Sequence, residues 1–180
     1  MRAAIRAAGI PAEEYGLPGR VHLGLEDCPC PEKFKFAFVR DPVEMYRSYW
    51  TYKMGRGWDP ANEIDQTCRS DDFRGFVTCV LEHYPGVLGS SFAAFVGPEG
   101  GEIEFVGRHE NLREDLITAL SLAGESFDPE AIRSLPPKNV SDRRRFPARY
   151  SEELEAAVRA SEAEALRRFG YEPGRVGSAP

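Results

Sequence analysis

Apolar and polar positions alternate most clearly between Phe34 and Val39. Phe34, Phe36 and Phe38 alternate with Lys35, Ala37 and Val39, the pattern of a short, mostly buried strand. The run ends at Arg40. Asp41-Pro42 then supplies an N-cap and a first helical residue, with Glu44 three positions past the cap as a capping-box partner. The pattern predicts a strand, an arginine at its carboxyl end, and a helix that starts at once and runs to about Gly55-Arg56-Gly57.

Helical spacing dominates the rest. Residues 1 to 9 hold Ala3, Ala4, Ala7 and Ala8, and Gly9-Ile10-Pro11 stops the helix they predict. Residues 10 to 20 read as a loop, Val21-His22-Leu23 as a short strand, and Cys28 to Pro31 as a turn. Asp59-Pro60 starts a short helical turn. Ser70 caps a helix through Tyr84, with Phe73, Phe76, Val77, Val80 and Leu81 at helical spacing. Ser91 to Val96 and Glu102 to Val106, separated by Gly97-Pro-Glu-Gly-Gly101, predict a β-hairpin. Asn111 with Glu114 opens a helix through Ala123, and Asp128-Pro129 opens another to about Ser134. Pro136 to Arg149 reads as a mobile loop. Ser151 to Arg168 reads as one long helix ended by Gly170, with a frayed tail after Pro173. The sum is an α/β fold in one domain, residues 1–180, with no internal repeat.

Composition narrows the partners. A length of 180 residues leaves room for a real core, and 42% hydrophobic with 29% charged residues fits a soluble globular chain. The net charge of −6 argues against general nucleic-acid binding, which uses a basic face, but leaves room for a local basic pocket. No apolar run approaches the ~20 residues of a membrane span, and MRAAIRAAGI is too short and amphipathic for a signal peptide. The expected location is cytoplasmic. Cys28, Cys30, Cys68 and Cys79 lack zinc-ribbon or thioredoxin spacing, so reduced thiols and no metal are expected.

The carboxyl edge of an open α/β sheet is where ligands bind. Arg40 stands at that edge. On a 3.6-residue helix Asp41, Glu44, Met45 and Ser48 share one face, so the Ser48 hydroxyl can lie beside whatever Arg40 reaches. A planar guanidinium and a hydroxyl next to a helix start suit the oxygens of a phosphate. The plain alternative is a solvated arginine and an idle helical serine.

FKFAFVRDP followed by Ser48, eight residues after Arg40, resembles the 3′-phosphate-binding segment of PAPS-dependent sulfotransferases. It is closest to the carbohydrate-type branch, whose pattern runs F-x-F-V-R-[ND]-P-x-x-R-x-x-S. Met45 stands where that branch often has arginine, with Arg47 nearby. His22-Leu23, the run Phe105 to Leu112, and Leu135 to Ser141 with Tyr150 and Phe169-Gly-Tyr171 resemble three further segments of the family in the same order. The resemblance implies a P-loop NTPase-like three-layer fold, with a short, mostly parallel sheet flanked by helices. It implies sulfuryl transfer from PAPS to a hydroxyl of a glycan or similar acceptor, with no metal.

In that family a Lys- and Gly-bearing loop between the first strand and first helix holds the 5′-phosphosulfate. These residues contain no Gly-Lys pair, and residue 1 already reads as part of the helix that follows such a loop. The expectation is a missing first strand and loop, which an extension of roughly 15 residues would supply, and little turnover without them. His22 and Glu110 are the candidate bases. His22 suits proton abstraction from a sugar hydroxyl but reads equally as a surface histidine, and Glu110 reads equally as an orienting partner of Arg108. Glu44 is better explained by capping, the role of His109 is open, and His83 reads as a dipole partner at a helix end.

Lys138, Asn139, Ser141, Arg143 and Arg144 lie in a late basic loop that the resemblance places over the nucleotide; a solvated arginine run is the alternative. Tyr49 and Trp50 read as core more readily than as an adenine platform. Three functional readings remain open at this level: a PAPS-dependent sulfotransferase, a non-catalytic relative that binds PAP-like nucleotides or a protein partner, and a kinase of related fold.

Overall fold

The computed structural model describes residues 2–11, 24–30, 32–99, 101, 103–137 and 142–172. In chain order these form α1 (Arg2–Ala7), β1 (Phe36–Val39), α2 (Pro42–Arg56), α3 (Glu63–Cys68), α4 (Phe73–His83), α5 (Val87–Val96), β2 (Phe105–Arg108), α6 (Leu112–Leu122), α7 (Pro129–Arg133), α8 (Glu152–Ser161) and α9 (Ala163–Arg168). The fold is α/β. The chain divides into two compact units, Met1–Arg40 with Phe92–Lys138 and Asp41–Ser91 with Asn139–Pro180.

The first unit is built on a parallel pair. β1 and β2 run side by side in the register Phe36↔Phe105, Ala37↔Val106, Phe38↔Gly107 and Val39↔Arg108. Parallel neighbours need a long crossover, and here the chain between them passes through α2 to α5. Phe36 and Phe38 meet edge-on with ring centroids 6.0 Å apart. They pack against a core of Ala8 just after α1, Leu116 and Leu120 from α6, and Ile132 from α7. Leu116 and Leu120 are four apart, one helical stripe. α7 begins as the sequence predicts, with Asp128 accepting from the Glu130 amide at 2.9 Å and Pro129 in the first turn.

The second unit is helical. Val43, Tyr46 and Trp50 form the buried stripe of α2, against Phe73, Phe76, Val77 and Val80 of α4 and Leu154 and Val158 of α8. α2 starts as predicted, since Asp41 Oδ1 accepts from the Val43 amide at 2.9 Å and Pro42 is at the first position. Gly57 closes it with φ 93°, a left-handed conformation suited to glycine. The Trp50 indole donates to the Ser70 carbonyl at 3.0 Å, and the Tyr150 hydroxyl to the Val43 carbonyl at 3.2 Å.

Several expectations are corrected. The hairpin is replaced: Val87–Val96 is a helix with Phe92 and Val96 buried, and β2 pairs in parallel with β1. The apolar run 91–96 fits either state, and burying Phe92 and Val96, four apart, favours the helix. Asp72, not Ser70, caps α4, accepting from the Gly75 amide at 2.7 Å. The short helical turn expected from Asp59-Pro60 is α3, which starts later and is capped by Asn62 through the Asp65 amide at 3.0 Å. Glu44 makes ion pairs with arginines instead of closing a capping box. Asn111 makes no side-chain cap; it donates to Asp115, while Glu114 pairs with Arg133. The long helix 151–168 is two helices that break at Glu162. Cys68 and Cys79 form a disulfide with Cα atoms 5.3 Å apart, where reduced thiols are expected from the sequence; Cys28 and Cys30 are unbridged. His22 and the strand expected around it, with Lys138, Asn139 and Ser141, lie outside the described residues.

Candidate functional site: the carboxyl edge of the parallel strands

β1 delivers the chain to Arg40, and β2 ends at Arg108 and delivers it to His109. The register Val39↔Arg108 makes Arg40 and His109 the next neighbours beyond the paired residues. Both strands therefore project their following side chains from the same, carboxyl, edge of the sheet.

The electrostatics follow from that neighbourhood. The His109 imidazole titrates below its ordinary value of 6.5, because burial disfavours the charged ring and the Arg40 guanidinium adds repulsion, outweighing Glu110. A neutral imidazole beside a permanent cation leaves one donor and one acceptor nitrogen at the edge. Arg40 is half-buried, and its Nε is shielded from solvent with no hydrogen-bond partner among the described residues. Leaving a shielded donor unpaired costs about 1–3 kcal/mol, more on a charged group, so this N–H is a position where an anionic oxygen would be stabilised strongly.

The strand end itself is fixed. The Arg108 amide donates to Asp115 Oδ2 at 2.6 Å, and Asn111 Nδ2 donates to the other carboxylate oxygen at 2.6 Å. Asp115 on α6 thus ties the turn after β2 to the helix that follows, holding His109 and Glu110 in one turn of 3₁₀ helix. Gly107 allows Phe38 to lie across β2, since a Cβ there would fall 2.5 Å from the Phe38 ring.

The remaining sequence candidates stand in the second unit. Ser48 is half-buried on α2, four residues after Glu44. Glu44 accepts from Arg47 Nη1 at 2.5 Å and from Arg143 Nη2 at 2.6 Å. Burial raises the Glu44 carboxyl, but the hydrogen bonds and charges of Arg143 and Arg47 outweigh it and hold it below the ordinary carboxylate range. Arg47 also lies over the Tyr150 ring, 4.7 Å from its centroid, and its Nε is shielded without a partner among the described residues. Arg144 is exposed in the turn beside Arg143. Arg47, Glu44 and Arg143 form one local cluster on the α2 face that carries Ser48. Trp50 is core and also lines an open cleft with Met54, Phe73 and Phe146, rimmed by Arg74 and Arg145. Tyr49 stacks on Phe76 at 5.8 Å and donates to Asp65, which is a core role.

Sequence reasoning did not single out Asp65 or Glu162, both 1% exposed. Glu162 continues the stripe Leu154, Val158, Glu162, Leu166, and a charge on an apolar stripe is the signal that could have found it. Asp65 carried no such signal.

The fold is α/β, and a partly buried arginine stands at the carboxyl edge of its parallel strands. No family model matches the chain, and no curated protein and no solved structure matches it either.

Proposed function

We propose that the chain binds a phosphonucleotide of the PAPS and PAP type at the carboxyl edge of β1, and that it serves sulfuryl transfer from PAPS to a hydroxyl of a glycan or similar acceptor. On this reading the parallel pair is part of a P-loop-like three-layer sheet. The observation that carries the proposal is the shielded Nε of Arg40, without a partner among the described residues, at the end of β1 and beside His109 at the end of the adjacent parallel strand. Arg40 takes the 3′-phosphate; Ser48, Lys138, Asn139, Ser141, Arg143 and Arg144 are the further nucleotide contacts that the family resemblance implies.

In the transfer itself an acceptor oxygen forms a bond to sulfur while the bond from sulfur to the 5′-phosphate oxygen breaks. The electron pair leaves with PAP, and His22 or Glu110 takes the acceptor proton. A non-catalytic relative would use the same nucleotide contacts.

Calorimetric titration with PAP tests the binding. Arg40→Ala is expected to weaken it by at least about tenfold, a loss of ~1.4 kcal/mol, with a smaller loss for Ser48→Ala. Binding indifferent to both changes, or no binding by the unaltered chain, overturns the reading. Transfer of labelled sulfate from PAPS then separates the enzyme from the non-catalytic relative.

A further inference from the structure

Cys68 ends α3, and Cys79 and His83 lie on α4. Cys79 and His83 are four residues apart, so both point from one face of that helix. The His83 Nδ1 lies 3.7 Å from the Cys79 sulfur and 3.0 Å from the Cys79 carbonyl oxygen. One donor atom from each of Cys68, Cys79 and His83 falls within 4.8 Å of the others. The Cys79 sulfur also lies 3.5 Å from the Thr67 carbonyl, so α3 and α4 approach closely here. The three residues grade from buried Cys68 through half-buried Cys79 to exposed His83, which leaves the cluster open to solvent on the histidine side.

Two thiolates and an imidazole are the ligand set of a thiophilic divalent ion. Zinc takes thiolate sulfur at about 2.3 Å and imidazole nitrogen at about 2.0–2.1 Å in a tetrahedron. Donors converging within 4.8 Å of one another need only small side-chain motions to meet those distances. Nδ1 is the ring nitrogen nearest the Cys79 sulfur, so ligation through it replaces its contact with the Cys79 carbonyl. The same two sulfurs cannot hold a metal and each other at once.

We propose that Cys68, Cys79 and His83 are a redox-gated site for a zinc-class divalent cation. The disulfide is its metal-free oxidised state. In the reduced state two thiolates and one imidazole bind the ion, and water fills the fourth position. A small dithiol supplies the switch: it gives up two electrons and two protons to the Cys68–Cys79 bond and leaves as a disulfide, and the two protein thiols release their protons when the metal binds.

Cobalt(II) is the probe, because thiolate ligation gives charge-transfer and visible ligand-field absorption. The protein carries Cys28→Ser and Cys30→Ser, so that only the proposed thiols respond. After reduction and removal of the reductant it should bind one cobalt with a thiolate charge-transfer band, and zinc should displace the cobalt. The oxidised protein should show no such band. Cys79→Ser should abolish the band, and His83→Ala, at an exposed position that the fold tolerates, should weaken binding by at least about tenfold, the effect that loss of even a supporting contact to a ligand produces. Circular dichroism of each reduced variant identifies a change in fold. The proposal is overturned if the reduced, folded protein shows no thiolate band, or if the band is equally strong in the oxidised protein or in His83→Ala.

Discussion

The Tyr46 hydroxyl donates to the Glu162 carboxylate at 2.9 Å, between residues 116 positions apart in the sequence. The same carboxylate accepts from the Leu88 amide at 3.2 Å and the Gly89 amide at 2.8 Å. One buried side chain therefore joins α2, the first turn of α5 and the break between α8 and α9. Burial first, and then the carboxylate, push the Tyr46 phenol far above its ordinary range, so it stays a donor at any working pH.

Removing that acceptor leaves three donors, the buried Tyr46 hydroxyl and two partly buried amides, without this partner. Glu162→Leu is expected to destabilise the second unit by roughly 3–5 kcal/mol, and Tyr46→Phe by about 1 kcal/mol. Urea denaturation of both single variants and the double variant measures the coupling. A double variant as costly as the sum of the two singles would show that the Tyr46–Glu162 bond contributes nothing of its own.

Asp65 presents a second buried carboxylate with several partners. It accepts from the Tyr49 hydroxyl at 2.5 Å and the Asp59 amide at 2.7 Å, and it pairs with Lys53. Its side chain has no solvent exposure and Lys53 has little. Asp65→Ala leaves Lys53 and two donors uncompensated, and the expected cost is on the order of 3–5 kcal/mol. Asp65→Asn, which keeps the shape, should cost less. Denaturant midpoints of the two variants check this order, and equal midpoints would contradict it.

Gly107 tests the packing of β2 against β1. An added Cβ would lie 2.5 and 2.8 Å from Phe38 ring carbons and 3.0 Å from the Asp115 Cβ. Neither neighbour moves without loss, since the Phe38 ring packs against the first unit's core and Asp115 anchors the end of β2. Gly107→Ala is expected to destabilise the first unit by about 1–3 kcal/mol, an overpacking cost. Phe38→Leu in the same chain should recover part of it. Thermal melting of the single and double variants reads both effects.

These residues also mark what the sequence could disclose. The junction from β1 through Asp41 into α2 was legible because its signals are local: a short alternation, a capping carboxylate, and proline in the first turn. Arg40 was found for the same reason, standing directly after the strand. His109 could not be placed, because its neighbour across the sheet depends on a parallel pairing between Val39 and Arg108 that no local pattern encodes. The segment 91–96 looked like half of a hairpin because short apolar runs suit either state, and burial decided in favour of the helix. Glu44 reads as a capping residue until Arg143, 99 positions later, supplies a partner for its carboxylate. Glu162 breaks what composition presents as one continuous Ala- and Glu-rich helix, because its carboxylate serves two amides of α5.

The pairing of Arg40 with His109 gives the candidate site a pH signature. The folded His109 value lies below the ordinary 6.5 because of burial and the Arg40 charge. Between the folded value and 6.5 the unfolded chain holds the proton and the folded chain does not. Stability from this group is therefore complete above 6.5 and falls as pH drops from 6.5 through the folded value. His109→Gln should remove that part of the slope, so the stability difference between the unaltered chain and the variant narrows or reverses on going from about pH 7.5 to pH 5. Urea midpoints across that range measure it, and parallel profiles would contradict the placement of His109 beside Arg40. Saturating PAP should shrink the difference, since a phosphate on Arg40 brings negative charge to the ring and favours the imidazolium.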